Sequence, residues 1–165
     1  MEKIKIFRNY SIKELLLYSG VSVSAYWFAN AVLWIPWKFN RWVGVILMIL
    51  LVPFLWGLSS LYCFRKTQFE KIGKTKYIVA IVFLIIAVVS DFFFFAIWRN
   101  IPDQLYHPTT FAAYALIIIM PIIIGIILKR NNTKKYSEIN NKNLIIIWVM
   151  GIIFLIITLY SVQFW

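Results

Sequence analysis

Six acidic residues, one histidine and one cysteine are all that this 165-residue chain contains of the side chains most enzymes use for acid–base, metal or thiol chemistry. The single Cys63 excludes an internal disulfide and any multi-cysteine metal cluster, and it leaves the redox compartment open. Asp91 and His107 together are too few ligands for a structural zinc, so no metal and no cofactor is expected. The local signatures of zinc proteases, serine hydrolases, nucleotide-binding loops and dithiol oxidoreductases are all missing. A hydrolase built on paired carboxylates needs a second acid beside Asp91, and Asp103 has no spacing to recommend it.

Charge is scarce as well. Only 14% of residues are charged, while 62% are hydrophobic, against roughly 45–50% apolar usage in soluble domains. Mean hydropathy is +0.82. These values describe a membrane protein. Five apolar stretches approach the length of about 20 residues that a helix needs to cross a hydrocarbon core of about 30 Å. They lie at about Ile12–Trp34, Trp42–Phe64, Tyr77–Trp98, Thr109–Leu128 and Leu144–Gln163. The expected fold is all-α: a polytopic bundle of five transmembrane helices forming one domain over residues 1–165, with no room for a soluble domain.

The formal charge is +11, which in a soluble protein would suggest nucleic acid. Its distribution argues for topology instead. Lys3, Lys5, Arg8 and Lys13 precede the first span; Arg65, Lys66, Lys71, Lys74 and Lys76 fill the second connection; Lys129, Arg130, Lys134, Lys135 and Lys142 fill the fourth. Only Lys38, Arg41 and Arg99 lie on the other side, a split of 14 against 3. By the positive-inside rule the N-terminus is cytoplasmic and the C-terminus extracytoplasmic. Removing one span would put basic connections on both sides, so the charges independently support five. Trp34, Trp37, Trp42, Trp98 and Trp165 fall at the outer boundary, as an aromatic belt would.

The first span has a basic start and an A-x-A pattern at Ala29-Asn30-Ala31, but the bulky Trp27 and Phe28 before it argue for a retained span. Asn9-Tyr10-Ser11 and Asn131-Asn132-Thr133 match the glycosylation pattern on the cytoplasmic side, where the match is chance. An abundance of Ile, Lys, Asn and Phe fits an AT-rich genome, and the expected location is a bacterial plasma membrane. The basic connections suit anionic lipid headgroups at about 1 kcal/mol per residue, although topology already accounts for them. No nucleic-acid partner is expected.

Asp91 is the only acidic residue in the interior of any apolar run, and no basic residue shares its run. Left charged and unpaired there, a carboxylate costs at least several kcal/mol, so Asp91 must be neutral, paired or facing a wet crevice. Counting about 1.5 Å per residue puts it roughly 10 Å below the outer boundary. Asn30 and Tyr114 fall in the same layer, as do Thr158 and Tyr160 of the fifth span, which should be the most lipid-exposed helix. Ser19, Ser22, Tyr26 and Asn30 recur at spacings of three, four and four, one inward stripe. Gly20 and Ser24 form a small-xxx-small pair on a neighbouring face.

A polar pocket around Asp91 therefore draws on Asn30, Tyr114 and Tyr26, together with Thr158 or Tyr160, with Arg99 and His107 at its rim. A protonated Asp91 would donate to Asn30; an ionised one would pair with Arg99, Arg41 or Lys38. His107, just before Pro108, is either an exposed polar residue or a proton-exchanging group at the pocket's mouth. Pro53 with Gly57 and Pro121 with Gly125 predict kinks or local unwinding in the second and fourth spans.

Three functional classes are open. The first is a non-enzymatic membrane protein handling a small solute, ion or lipid through this pocket. The second is an accessory or immunity-type subunit partnered by another membrane protein, an extracellular toxin or a second copy of itself. The third is a membrane enzyme acting on a lipid, with Asp91 as acid or base.

A topology reporter tests the charge argument. Alkaline phosphatase fused after Trp165 should be active and a fluorescent protein at the same place dark; the reverse pattern would overturn the five-span orientation.

Overall fold

The computed structural model describes residues 10–131 and 137–163, apart from the side chains of Ile35, Trp37, Lys38, Arg41 and Asn131. Trp165 and the basic residues 1–9 and 132–136 lie outside that description. The five helices are α1 (Ile12–Phe39), α2 (Arg41–Arg65), α3 (Ile72–Asp91), α4 (Pro108–Asn131) and α5 (Asn141–Gln163). Among the described residues no strand occurs. α3 continues as a π-helical segment, Phe92–Trp98, so all five are long and apolar enough to cross a membrane.

Local chemistry sets where these helices begin. Ser11 and Glu14 form a reciprocal capping box on α1, with the Ser11 amide donating to Glu14 Oε2 at 2.9 Å. Asn40 separates α1 from α2: its amide bonds the Pro36 carbonyl at 3.0 Å and its side chain accepts from the Trp42 amide at 2.9 Å. Asn140 caps α5 in the same way, through the Lys142 amide at 2.9 Å.

Four helices form a closed ring in the order α1, α2, α4, α3, and α5 lies outside it, docked chiefly on α1. Gly20 and Ser24, as their spacing predicts, mark this seam. The Ser24 hydroxyl donates to the Ile147 carbonyl at 2.6 Å, the Trp148 indole covers Gly20, and Gly151 lies against Val23 and Ser24. α5 is the least buried of the five spans, in line with its expected lipid exposure. The many exposed Ile, Phe and Leu side chains of the other helices need an apolar solvent too.

The ring closes at its basic end on a polar network that the sequence does not announce. Tyr18 and Thr67 share a hydrogen bond at 2.8 Å, and Tyr10 reaches Thr75 at 3.1 Å. Lys66 is buried, donating to Ser137 Oγ and the Glu138 carbonyl, both at 2.9 Å. That lysine is therefore more than a topological signal, since it ties the second connection to the fourth.

The expected unwinding at Pro53 and Pro121 does not occur: α2 and α4 run unbroken through both. The glycines instead allow close packing. A Cβ on Gly57 would lie 3.1 Å from Met120 Cε, and one on Gly125 would lie 2.7 Å from Lys76 Cβ. The backbone widens in α3 instead, directly after Asp91.

The two glycines of the α3–α4 contact should respond differently to alanine. At Gly125 the neighbour is a Cβ fixed to its backbone, so Gly125→Ala must push α3 and α4 apart; overpacking of about 1–3 kcal/mol outweighs a propensity gain of up to about 1 kcal/mol. At Gly73 the neighbour is the mobile tip of Lys129, 3.3 Å away. Thermal unfolding in detergent should show a lower midpoint for Gly125→Ala and an unchanged or higher one for Gly73→Ala. Equal midpoints would mean that this contact is plastic.

Candidate functional site

A cavity of about 200 Å³ occupies the ring at the end opposite the basic network. Tyr26, Asn30 and Trp34 contribute from α1, one turn apart on the stripe that the spacing predicts. α2 contributes Met48, Val52 and Trp56, α4 contributes Thr110, Ala113 and Tyr114, and Asp91 sits where α3 gives way to the π segment. Phe94, Phe95 and Arg99 follow from that segment and its cap. Its wider turn ends with the Arg99 amide on the Phe94 carbonyl at 3.0 Å and Asn100 in the left-handed region at φ 52, which asparagine tolerates.

Asp91 is buried and held from two sides. The Tyr26 hydroxyl donates to Oδ1 and the Tyr114 hydroxyl donates to Oδ2 at 2.6 Å. A carboxylate accepting at both oxygens has about four lone-pair sites and so keeps capacity for a further donor. Hydrogen bonds to a charged group stabilise by about 1.5–3 kcal/mol each, which offsets part of the cost of burial. Asn30 does not meet Asp91. Its Nδ2 donates to the Tyr26 carbonyl at 3.0 Å, backing the tyrosine that does.

No ion pair to Asp91 occurs among the described residues, and the side chains of Lys38 and Arg41 lie outside the description. The Arg99 guanidinium lies over the Trp34 ring, 4.3 Å from its centroid, and 6.0 Å from that of Phe94. It is a cation–π contact in the cavity wall. Trp34 and Phe94 themselves meet edge to face at 6.0 Å.

Three expected members are elsewhere. His107 is not part of the cavity wall: its Nδ1 bonds Thr109 Oγ1 at 2.8 Å and faces the Thr109 amide at 3.4 Å, so it caps α4 with Pro108 in the first turn. Thr158 bonds the Trp27 and Phe154 carbonyls on the α1–α5 seam, and Tyr160 lies on the same outer helix. Depth alone placed both of these α5 residues level with Asp91, but α5 is not in the ring. Conversely, the deep Trp56 and the aromatic wall of Phe94 and Phe95 were unmarked by any polar signal.

Among the described residues no group of three or more His, Cys, Asp or Glu could hold a metal ion, and Asp91 is the only acid lining the cavity. Its chemistry is that of a hydrogen-bond acceptor and counter-charge in an aromatic box. No family model, no curated protein and no solved structure matches the chain. The reading of this site therefore rests on its geometry.

The two tyrosines are not equivalent. Tyr26 is buried within the ring, whereas Tyr114 is half-buried and open to replacement by water. Tyr26→Phe should destabilise the protein by about 1.5–3 kcal/mol, and Tyr114→Phe by less than half of that. Thermal unfolding of both variants checks this, and a larger loss for Tyr114→Phe would show that the Tyr26 bond does not anchor Asp91.

Proposed function

We propose that this is a non-enzymatic membrane protein that binds a small solute in an outward-facing pocket built around Asp91. One observation carries the reading: a buried carboxylate that lines a cavity accepts two hydroxyl protons and has no cationic partner among the described residues. A purely structural polar residue in an apolar bundle would be expected to bury its remaining acceptor sites in protein, since each unsatisfied group costs free energy. Asp91 instead lines a cavity. The 14-to-3 charge split supports placing the pocket on the extracytoplasmic side of a plasma membrane. The absence of a second acid on the cavity wall argues against hydrolysis by paired carboxylates.

Native mass spectrometry of the protein released from lipid nanodiscs tests the reading. The wild type should carry a small-molecule mass that Asp91→Asn loses while retaining the wild-type circular dichroism. A stoichiometric polypeptide in place of a small molecule would replace the pocket reading with that of an accessory subunit. Retention of the same small molecule by Asp91→Asn would remove Asp91 from the site.

A further inference from the structure

We propose that the ligand of this pocket is an organic cation: a single ammonium group carried on a compact apolar body. The inference rests on the pocket reading above and names the chemistry of its ligand. Ionised, Asp91 would supply one full negative charge, with the Tyr26 and Tyr114 hydroxyls donating to its two oxygens. Around it stand the faces and edges of Trp34, Trp56, Phe94 and Phe95. Aromatic faces carry negative quadrupole density, so they attract a cation and tolerate its alkyl groups.

The wall already shows this preference. Arg99 places its guanidinium on Trp34 at 4.3 Å, so a cation is stable against this surface within the cavity. The acid and the aromatic rings thus form a box with two kinds of cation-attracting element, of which Arg99 uses one, while no cation among the described residues pairs with Asp91.

Other ligand classes fit less well. A bare metal cation wants about six to eight oxygen ligands, often several of them carboxylates, whereas this box offers one carboxylate, already twice hydrogen-bonded, with only the neutral side chains of Asn30, Gln104, Thr109 and Thr110 besides the tyrosines. An anion would be repelled by the Asp91 carboxylate. A neutral apolar molecule would displace water from the carboxylate and leave its charge more poorly solvated than before. An ammonium group with an apolar body answers both the charge and the lining.

Three isosteric probes separate these cases: cyclohexylmethylammonium, cyclohexylmethanol and cyclohexanecarboxylate, titrated into the purified full chain while tryptophan fluorescence is followed. Trp34 and Trp56 in the wall report occupancy. The ammonium should bind saturably, at least about tenfold more tightly than the alcohol, a difference of about 1.4 kcal/mol. The carboxylate should bind more weakly than either. Asp91→Asn should bring the ammonium to within about twofold of the alcohol, as expected if one charge pair carries the preference. Equal or tighter binding of the alcohol or the carboxylate by the wild type would overturn the proposal, a result that does not depend on any variant folding. Silence from all three probes would also overturn it. A small-molecule mass retained in native mass spectrometry would in that case leave the pocket reading standing without its cation.

Discussion

The Asp91 carboxylate is the point at which three helices of the ring are joined by side chains: α3 supplies the acid, α1 supplies Tyr26 and α4 supplies Tyr114. In an apolar solvent there is little hydrophobic drive to hold helices together, so packing and polar contacts must do so. Two hydroxyls donating to one charge provide a directional tie that apolar packing lacks. The remainder of the ring follows from this junction. Asn30 secures the carbonyl of Tyr26, and Phe111 stacks edge to face with Tyr114 at 6.5 Å, so each tyrosine is itself oriented. The geometry of the acid is thereby fixed by contacts within the bundle.

The same junction explains where the backbone departs from regular helix. Proline-bearing α2 and α4 stay continuous, and the change of pitch falls on Phe92–Trp98, the first residues past the acid. Single π turns recur at functional sites because they shift the register of the side chains that follow. Here those side chains are Phe94, Phe95 and Arg99, all of which line the cavity. An ordinary α-helix would present a different set. The aromatic wall and the position of the acid are thus two outcomes of one backbone feature.

Much of this architecture was legible in the residues. Length and apolarity located all five helices, because a hydrocarbon core imposes a minimum run that few other constraints mimic. The stripe from Ser19 to Asn30 correctly faced Tyr26 inward, and Gly20 with Ser24 correctly marked a close helix contact. Depth counting brought Asn30, Asp91 and Tyr114 to one cavity. It failed for Thr158 and Tyr160 because depth is a one-dimensional coordinate, whereas membership of the ring depends on which helices are neighbours. The apolar stretch of α5 marks it as lipid-exposed, but nothing in it says that its Thr158 face turns to α1 and away from the cavity. His107 was ambiguous for a related reason: a histidine before a proline serves equally as a cap or as a rim residue, and only the direction of its ring decides. The π segment had no sequence signal at all, since Phe92–Trp98 reads as a simple continuation of the span.

The position of Arg99 bears on why the cavity exists. Had the guanidinium paired with Asp91, a bidentate contact would have filled the acid's free lone pairs and closed the crevice with a neutral plug. Arg99 instead spends its charge on the π face of Trp34, and the π segment fixes the backbone from which it reaches. Burying an unpaired carboxylate costs more than burying a paired one, so this arrangement persists only if something else stabilises the acid. Two tyrosine hydroxyls supply part of that stabilisation. Holding the acid between two tyrosines while Arg99 stays on a neighbouring ring leaves Asp91 without a cation among the described residues, and the proposed recognition of an outside positive charge rests on that preorganisation.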